Sequence, residues 1–188
     1  TTNRAEVMFF TNRQQVYKCR LSEFDDSKAS LLGDYLPSKL GMDQEESVVR
    51  MVLPGDYSGA LLFFFENGKV ARVDLSAYAT TSNRRKLTGA YSDKSPLSAL
   101  LHLTEDQELA LYSTEPRALI FNTALLSPKS TRTTQGVQVM TLKPKYHLSE
   151  VRPVEDTSIT NLPRYRCRSI PACLLYTSPS PRDVEESR

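Results

Sequence analysis

Three observations predict an all-β chain of about three repeated units, each roughly 50 residues long. The first is Gly59–Tyr78, which reads as a β-hairpin. Leu61–Phe65 is a short apolar run, Glu66-Asn67-Gly68 is a turn, and Lys69–Leu75 alternates Val70, Val73 and Leu75 with Lys69, Arg72 and Asp74. Asn-Gly supplies the positive φ angles of a tight hairpin turn. The second is that this stretch recurs. Val7–Phe24 aligns with it without gaps, so that Phe10 falls on Phe64, Val16 on Val70, Lys18 on Arg72, Leu21 on Leu75 and Phe24 on Tyr78. Leu109–Phe121 is a weaker third copy, with Tyr112 on Phe64 and Arg117 on Lys69. The third is a beat of single glycines, Gly41, Gly89 and Gly136. One hairpin cannot bury its apolar face alone. A propeller-like array in which neighbouring copies cover each other meets that need; an ordinary β-sandwich accounts less well for features that recur in phase.

Taken in order, the chain opens with the Val7–Phe24 hairpin. A polar connector follows over Ser22–Asp43, within which Lys28–Tyr35 reads as a short helix or an extended arm, Pro37 as its interruption and Gly41 as a turn. Val48–Leu53 reads as a strand, and Pro54–Gly59 as the turn that feeds the central hairpin. The Thr80–Ser95 linker leads to a strand over Leu97–Leu103, then to the third hairpin. Ser127–Val137 is a second linker, and Leu148–Val154 a last strand. Residues 1–172 are read as one domain. Cys173–Asp183 breaks the pattern and resembles an in-frame translation of a sequencing-library adapter, so residues 173–188 are set apart as non-native. The start, without Met and almost inside a hairpin, reads as cut from a longer protein, and the native C-terminus as missing.

Composition narrows the function. Of 188 residues 39% are hydrophobic, enough for a core, and no run approaches the roughly 20 apolar residues of a membrane span. Three cysteines without metal spacing, and two isolated histidines (His102 and His147), fit a cytoplasmic protein with reduced thiols. No Walker loop, GxGxxG, HExxH or GxSxG is present, and no carboxylates pair near a histidine. The doublets Asp25-Asp26 and Glu45-Glu46 read as solvated. No catalytic residue and no metal site is expected in this chain.

The net charge is only +2, yet it is uneven, near −2 over residues 1–79 and +5 over 80–172. The excess lies in the two linkers. Arg84, Arg85, Lys86 and Lys94 stand among serines, threonines and Asn83, and Lys129 and Arg132 stand in a similar setting. Cations mixed with hydroxyls and a glycine suit phosphate oxygens. A solvated loop is the competing reading of any one cation; their recurrence at one phase of the repeat favours phosphate.

Those linkers also carry a family resemblance. Arg132-Thr-Thr-Gln-Gly-Val-Gln-Val-Met140 resembles the R-x-x-Q-G-V-x-(V/L)-M signature of the C-terminal domain of the bacterial DNA gyrase A protein and its topoisomerase IV counterpart. Leu32–Pro37, Asn83–Leu87 with Ala90–Pro96, and Tyr165–Ala172 look like a divergent branch of it. The resemblance implies a β-pinwheel, a propeller-like disc of six blades that exchange strands, here present as about three. It implies non-sequence-specific binding and bending of double-stranded DNA by a basic rim, presenting a segment to a type IIA topoisomerase. Matched positions give Arg84, Arg85, Lys86, Lys94, Lys129, Arg132, Lys143 and Lys145 as phosphate contacts. Lys18, Arg20, Lys69 and Arg72 are secondary, as strand-borne cations can lie on a solvated face. The implied partners are the rest of a homodimeric gyrase A protein and the ATPase component, gyrase B. The implied cofactors are ATP and Mg2+ elsewhere in the holoenzyme, and the implied location is the nucleoid. The family's catalytic tyrosine is absent from this chain, and so is the glutamine- and arginine-containing glycine-rich box of full DNA wrapping, which leaves gyrase and topoisomerase IV types both open. The alternative is a protein-interaction propeller, whose paired-glycine or Trp-Asp marks are missing; the chain has no tryptophan.

Overall fold

A computed structural model describes residues 4–24, 33–81 and 84–171. Each expected hairpin is present: β1 (Glu6–Thr11) with β2 (Gln15–Arg20), β4 (Ala60–Phe65) with β5 (Lys69–Asp74), and β8 (Glu108–Ser113) with β9 (Ala118–Asn122). The aligned residues are structurally equivalent. Phe10 faces Val16, Phe64 faces Val70 and Tyr112 faces Ala118, in the same antiparallel register. A single 3-10 turn follows each hairpin, beginning at Leu21, Leu75 and Thr123. The apolar runs between hairpins form β3 (Val48–Val52), β7 (Leu97–Leu103) and β11 (Leu148–Pro153), each antiparallel to the first strand of the preceding hairpin.

The fourth strand of a blade comes from further along the chain. After the second hairpin, β6 (Lys86–Thr88) returns to β2, giving the first blade the order β3-β1-β2-β6. After the third, β10 (Val137–Gln138) returns to β5, giving the second blade the order β10-β5-β4-β7. The third blade has the order β11-β8-β9 among the described residues. Consecutive blades are thus pinned by backbone hydrogen bonds as well as by side-chain packing. The fold is all-β, a partial β-pinwheel of three antiparallel sheets.

Glycine is required where the returning segments pass. Gly68 has φ +78, and a Cβ there would collide with the Met140 carbonyl oxygen. The Gly68 carbonyl accepts from the amides of both Val139 and Met140 at 3.1 Å. A Cβ on Gly136 would collide with the Val70 carbonyl. The turn glycine of one hairpin and the glycine of the Arg132–Met140 signature therefore serve one crossing.

Stacking explains the hydrophobic patterns. Strand β4 is buried throughout, so its apolar run is continuous. Leu61, Phe63 and Phe65 join Met8, Phe10, Val16 and Tyr91 between the first and second blades. Leu62 and Phe64 join Leu109, Leu111, Leu119 and Phe121 between the second and third. Phe10, Phe63 and Tyr91 form an aromatic row with centroid spacings of 5.9 and 5.4 Å, a favourable range for offset and edge contacts. Tyr78 packs edge-on against Phe10 at 5.4 Å, and the tyrosine hydroxyls are satisfied, Tyr78 donating to the Ala90 carbonyl at 2.5 Å and Tyr91 to the Thr11 carbonyl at 2.6 Å. Val7, Phe9, Tyr17 and Cys19 face away from the second blade, against Leu36 and Leu40 of the short helix α1 (Leu36–Leu40). Burial pushes the Cys19 thiol up to about 11. On the far face of the third blade, Ala110, Ala118 and Ile120 pack with Tyr165 of the one-turn helix α2 (Leu162–Tyr165).

Two local expectations change. Pro37 starts α1 instead of interrupting it: it lies in the first turn, where its missing N–H has no intrahelical partner to lose, and Gly41 closes the helix in the left-handed region. Glu46 is not solvated. It is buried and accepts from the Thr11 hydroxyl at 2.5 Å, the Tyr17 hydroxyl at 2.8 Å and the Asp43 amide at 3.1 Å. The Asp25-Asp26 doublet, most of the Lys28–Tyr35 segment and residues 173–188 lie outside the described residues.

Candidate nucleic-acid interface

The returning segments bring one cation per repeat to the second strand of each hairpin. The Lys18 amide donates to the Arg85 carbonyl at 2.7 Å. Lys129 runs beside β5, its amide donating to the Arg72 carbonyl and its carbonyl accepting from the Asp74 amide, both at 2.9 Å. Arg166 bridges Ile120 of β9, and the neighbouring Cys167 amide donates to the Ile120 carbonyl at 2.8 Å. Lys18, Arg72 and Ile120 are the matched positions of the three hairpins, so Arg85, Lys129 and Arg166 lie against the same stretch of the second hairpin strand, Arg85 antiparallel to it and Lys129 and Arg166 parallel, with Lys129 bridging Val73, one residue further on. All three side chains are exposed, Arg85 at 75%. Arg85 pairs with Glu23 at 3.0 Å and Arg166 with Glu108 at 2.7 Å. Lys129 makes no ion pair among the described residues. The sequence does not single out Arg166, because its linker aligns with a different offset; the basic Tyr165-Arg-Cys-Arg168 stretch is the available signal.

The other expected contacts are placed variously. Arg84 is exposed beside Arg85. Lys86 opens β6, with its ammonium 5.3 Å from the Tyr17 ring centroid and 3.7 Å from Asp43; a hydrogen bond with Tyr17 outweighs its slight burial and raises its pKa. Lys94 stands beside Asp93 at 4.0 Å. Lys143 and Arg117 both bind Glu115, at 2.8 and 3.1 Å, and Lys145 is exposed in the next turn with φ +78. Arg20 is exposed, and the Lys69 ammonium reaches the Gln135 side-chain oxygen at 3.5 Å. Arg132 is half-buried, donating to the Ala77 carbonyl at 3.3 Å with its guanidinium 5.9 Å from the Tyr78 ring centroid.

Two of the strand-borne cations do not lie on a solvated face. The Arg72 side chain is 18% exposed and donates to Asp106 at 2.8 Å and to the carbonyls of Thr123 and Leu126 at 3.1 and 3.3 Å. It latches the second blade to the third. The Lys18 side chain is 5% exposed, and its ammonium donates to the Tyr57 hydroxyl at 2.9 Å and the Thr80 hydroxyl at 3.4 Å. Burial lowers its pKa, against the opposing field of Glu6. Alternation puts Lys18 on the strand face of Val16 and Arg72 on that of Val70, the faces that the neighbouring blade covers.

An array of antiparallel blades with returned fourth strands, and a cation carried beside each by the returning segment, defines a propeller-like domain of the strand-exchanging class. The sequence matches the family model described as DNA gyrase C-terminal domain, beta-propeller, over residues 5–30 and 120–155. Over 141 residues it is 28% identical to the DNA gyrase A protein of Staphylococcus aureus strains MRSA252 and NCTC 8325. That match takes in 73% of this chain and 16% of the relative, so the chain spans about a sixth of the curated relatives' length. The C-terminal domain of DNA topoisomerase IV superposes with a TM-score of 0.73 at 22% identity, over 85% of this chain and 50% of that one. The E. coli ParC C-terminal domain gives 0.64 at 14% identity, over 80% and 62%. The chain is thus similar in sequence to part of the DNA gyrase A protein, and in fold to the C-terminal domains of topoisomerase IV and ParC.

Proposed function

We propose that this chain binds double-stranded DNA without sequence preference and bends it, presenting a segment for strand passage by a type IIA topoisomerase. The observation that carries the reading is the recurrence of an exposed cation, Arg85, Lys129 or Arg166, against the same stretch of the second hairpin strand on successive blades. Phosphates recur at a regular spacing along a duplex, and cations that recur at a regular spacing on a rigid support can follow them. Arg84, Lys86, Lys94 and Lys145 extend the charge on the linkers. Such a surface positions a backbone and carries no base readout. The proposed role needs no cofactor in this chain. ATP and Mg2+ would act in the separate ATPase component and in the cleavage core, with which a homodimeric gyrase A protein assembles.

Replacing Arg84, Arg85 and Lys86 together with alanine tests the reading, measured by fluorescence anisotropy on several unrelated duplexes. The expected result is an equal loss of affinity on every sequence. Unchanged affinity would remove this linker from the interface, and no binding of any duplex at low salt would favour the protein-interaction reading.

A further inference from the structure

Beside the first hairpin lies a cavity of about 860 Å³, reaching from β2 to the turn before β4 and the Thr80–Ser95 linker. Its lining carries Arg4, Lys18, Arg20, Arg84 and Arg85 against two carboxylates, Glu6 and Glu23. Both carboxylates are engaged, Glu6 accepting from the Tyr57 hydroxyl at 2.7 Å and Glu23 pairing with Arg85. The buried cation in this wall is Lys18. Its ammonium has three N–H donors, of which the Tyr57 and Thr80 hydroxyls take two, and the nearest carboxylate oxygen stands at 4.0 Å, beyond hydrogen-bond distance. A buried cation is costly unless paired and hydrogen-bonded. Arg132 adds a further positive field.

We propose that this cavity is a binding site for a small oligophosphate, with Lys18 meeting one phosphate group and the arginines of the lining the others. The volume falls in the range of small-molecule sites. A duplex is a broad rod whose phosphates project from a convex surface, and it cannot bring one down to a side chain that is 5% exposed; a short flexible polyanion can. Arg84 and Arg85 belong to both surfaces, so a bound oligophosphate competes with duplex for them. To that extent the inference rests on the DNA-binding reading, but occupation of the cavity does not.

The test uses the full chain with inorganic pyrophosphate in isothermal titration, and a random duplex in a parallel anisotropy assay. Pyrophosphate is expected to bind at one site, roughly 10- to 100-fold more weakly in Arg20→Ala and in Lys18→Met, the loss of one charge-assisted hydrogen bond. Lys129→Ala, which lies outside the cavity, is expected to leave pyrophosphate affinity intact while weakening the duplex. Arg20 is exposed, so its variant reports even where Lys18→Met does not fold. Absence of saturable pyrophosphate binding, or equal affinity in parent and Arg20→Ala, would overturn the inference. So would a Lys18→Met variant that weakens duplex and leaves pyrophosphate unaffected. Failure of duplex binding with pyrophosphate binding retained would overturn only the DNA reading.

Discussion

The two junctions between blades are built on one plan and finished differently. At both, a cation of the second hairpin strand, Lys18 or Arg72, is covered by the following blade. Arg72 meets Asp106 and two carbonyls through Nη1, while its buried Nε has no hydrogen-bond partner among the described residues. At the matched position of the earlier repeat, Ser58 stands where Asp106 stands later. Lys18 therefore has hydroxyl partners and a distant carboxylate, and an open cavity beside it. A guanidinium fills several acceptors in fixed directions; an ammonium is a compact point charge. A repeat can thus keep its backbone register while one missing carboxylate turns a structural latch into a charged recess.

Disrupting what the junctions share has the greatest consequence. Phe63 sits at the centre of the aromatic row, and Phe63→Ala is expected to cost about 3–5 kcal/mol in urea unfolding. A loss below about 1 kcal/mol would mean that the first two blades do not share a core. Next come the two cations. Arg72→Ala removes the hydrogen bonds to Asp106, which keeps the Thr123 hydroxyl, and to two carbonyls, and is expected to cost about 2–3 kcal/mol. Lys18→Met replaces an incompletely paired buried charge with an apolar chain of similar length, and is expected to cost less than about 1 kcal/mol. Equal losses would erase the distinction between the junctions.

Glu46 gives a smaller, pH-dependent effect. Burial works to raise its pKa, but the hydrogen bonds from Thr11, Tyr17 and the Asp43 amide outweigh it and hold the carboxyl below the ordinary glutamate value. A folded-state pKa below the unfolded one adds stability that is complete above the unfolded value and lost as pH falls through the folded one. Glu46→Gln is therefore expected to cost about 1 kcal/mol at neutral pH, and the gap to the parent is expected to close as pH falls below about 4. A gap that stays constant down to acid pH would show that the ionised form carries no advantage. The smallest stability effects belong to the exposed cations Arg84 and Lys129, whose alanine variants are expected to stay within about 0.5 kcal/mol of the parent in the same assay.

Local chemistry makes the hairpins legible: Asn67-Gly68, the β4 run and the Phe10–Phe64 alignment place every blade in register. Strand exchange is implied by the family resemblance, but the exchanged strands are not legible in local chemistry, because β6 and β10 are three and two residues long and find partners far back in the chain. Lys86 thus reads as a linker cation, though it begins a strand. Charge makes Lys18 and Arg72 read as solvated, although each shares its strand face with a core residue two positions earlier, Val16 or Val70. Glu46 reads as solvated for the same reason, its partners Thr11 and Tyr17 lying 35 and 29 residues earlier in the sequence. The basic linkers are readable as compositions; the gathering of Arg85, Lys129 and Arg166 against the second hairpin strands emerges only in three dimensions.

Duplex binding by these recurring cations is tested most directly by its salt dependence, compared between the parent chain and a variant with Arg85, Lys129 and Arg166 all replaced by alanine. The logarithm of affinity is expected to fall with the logarithm of salt, and the slope to flatten in the variant by about 0.9 for each phosphate contact removed. Identical slopes for parent and variant would contradict the account.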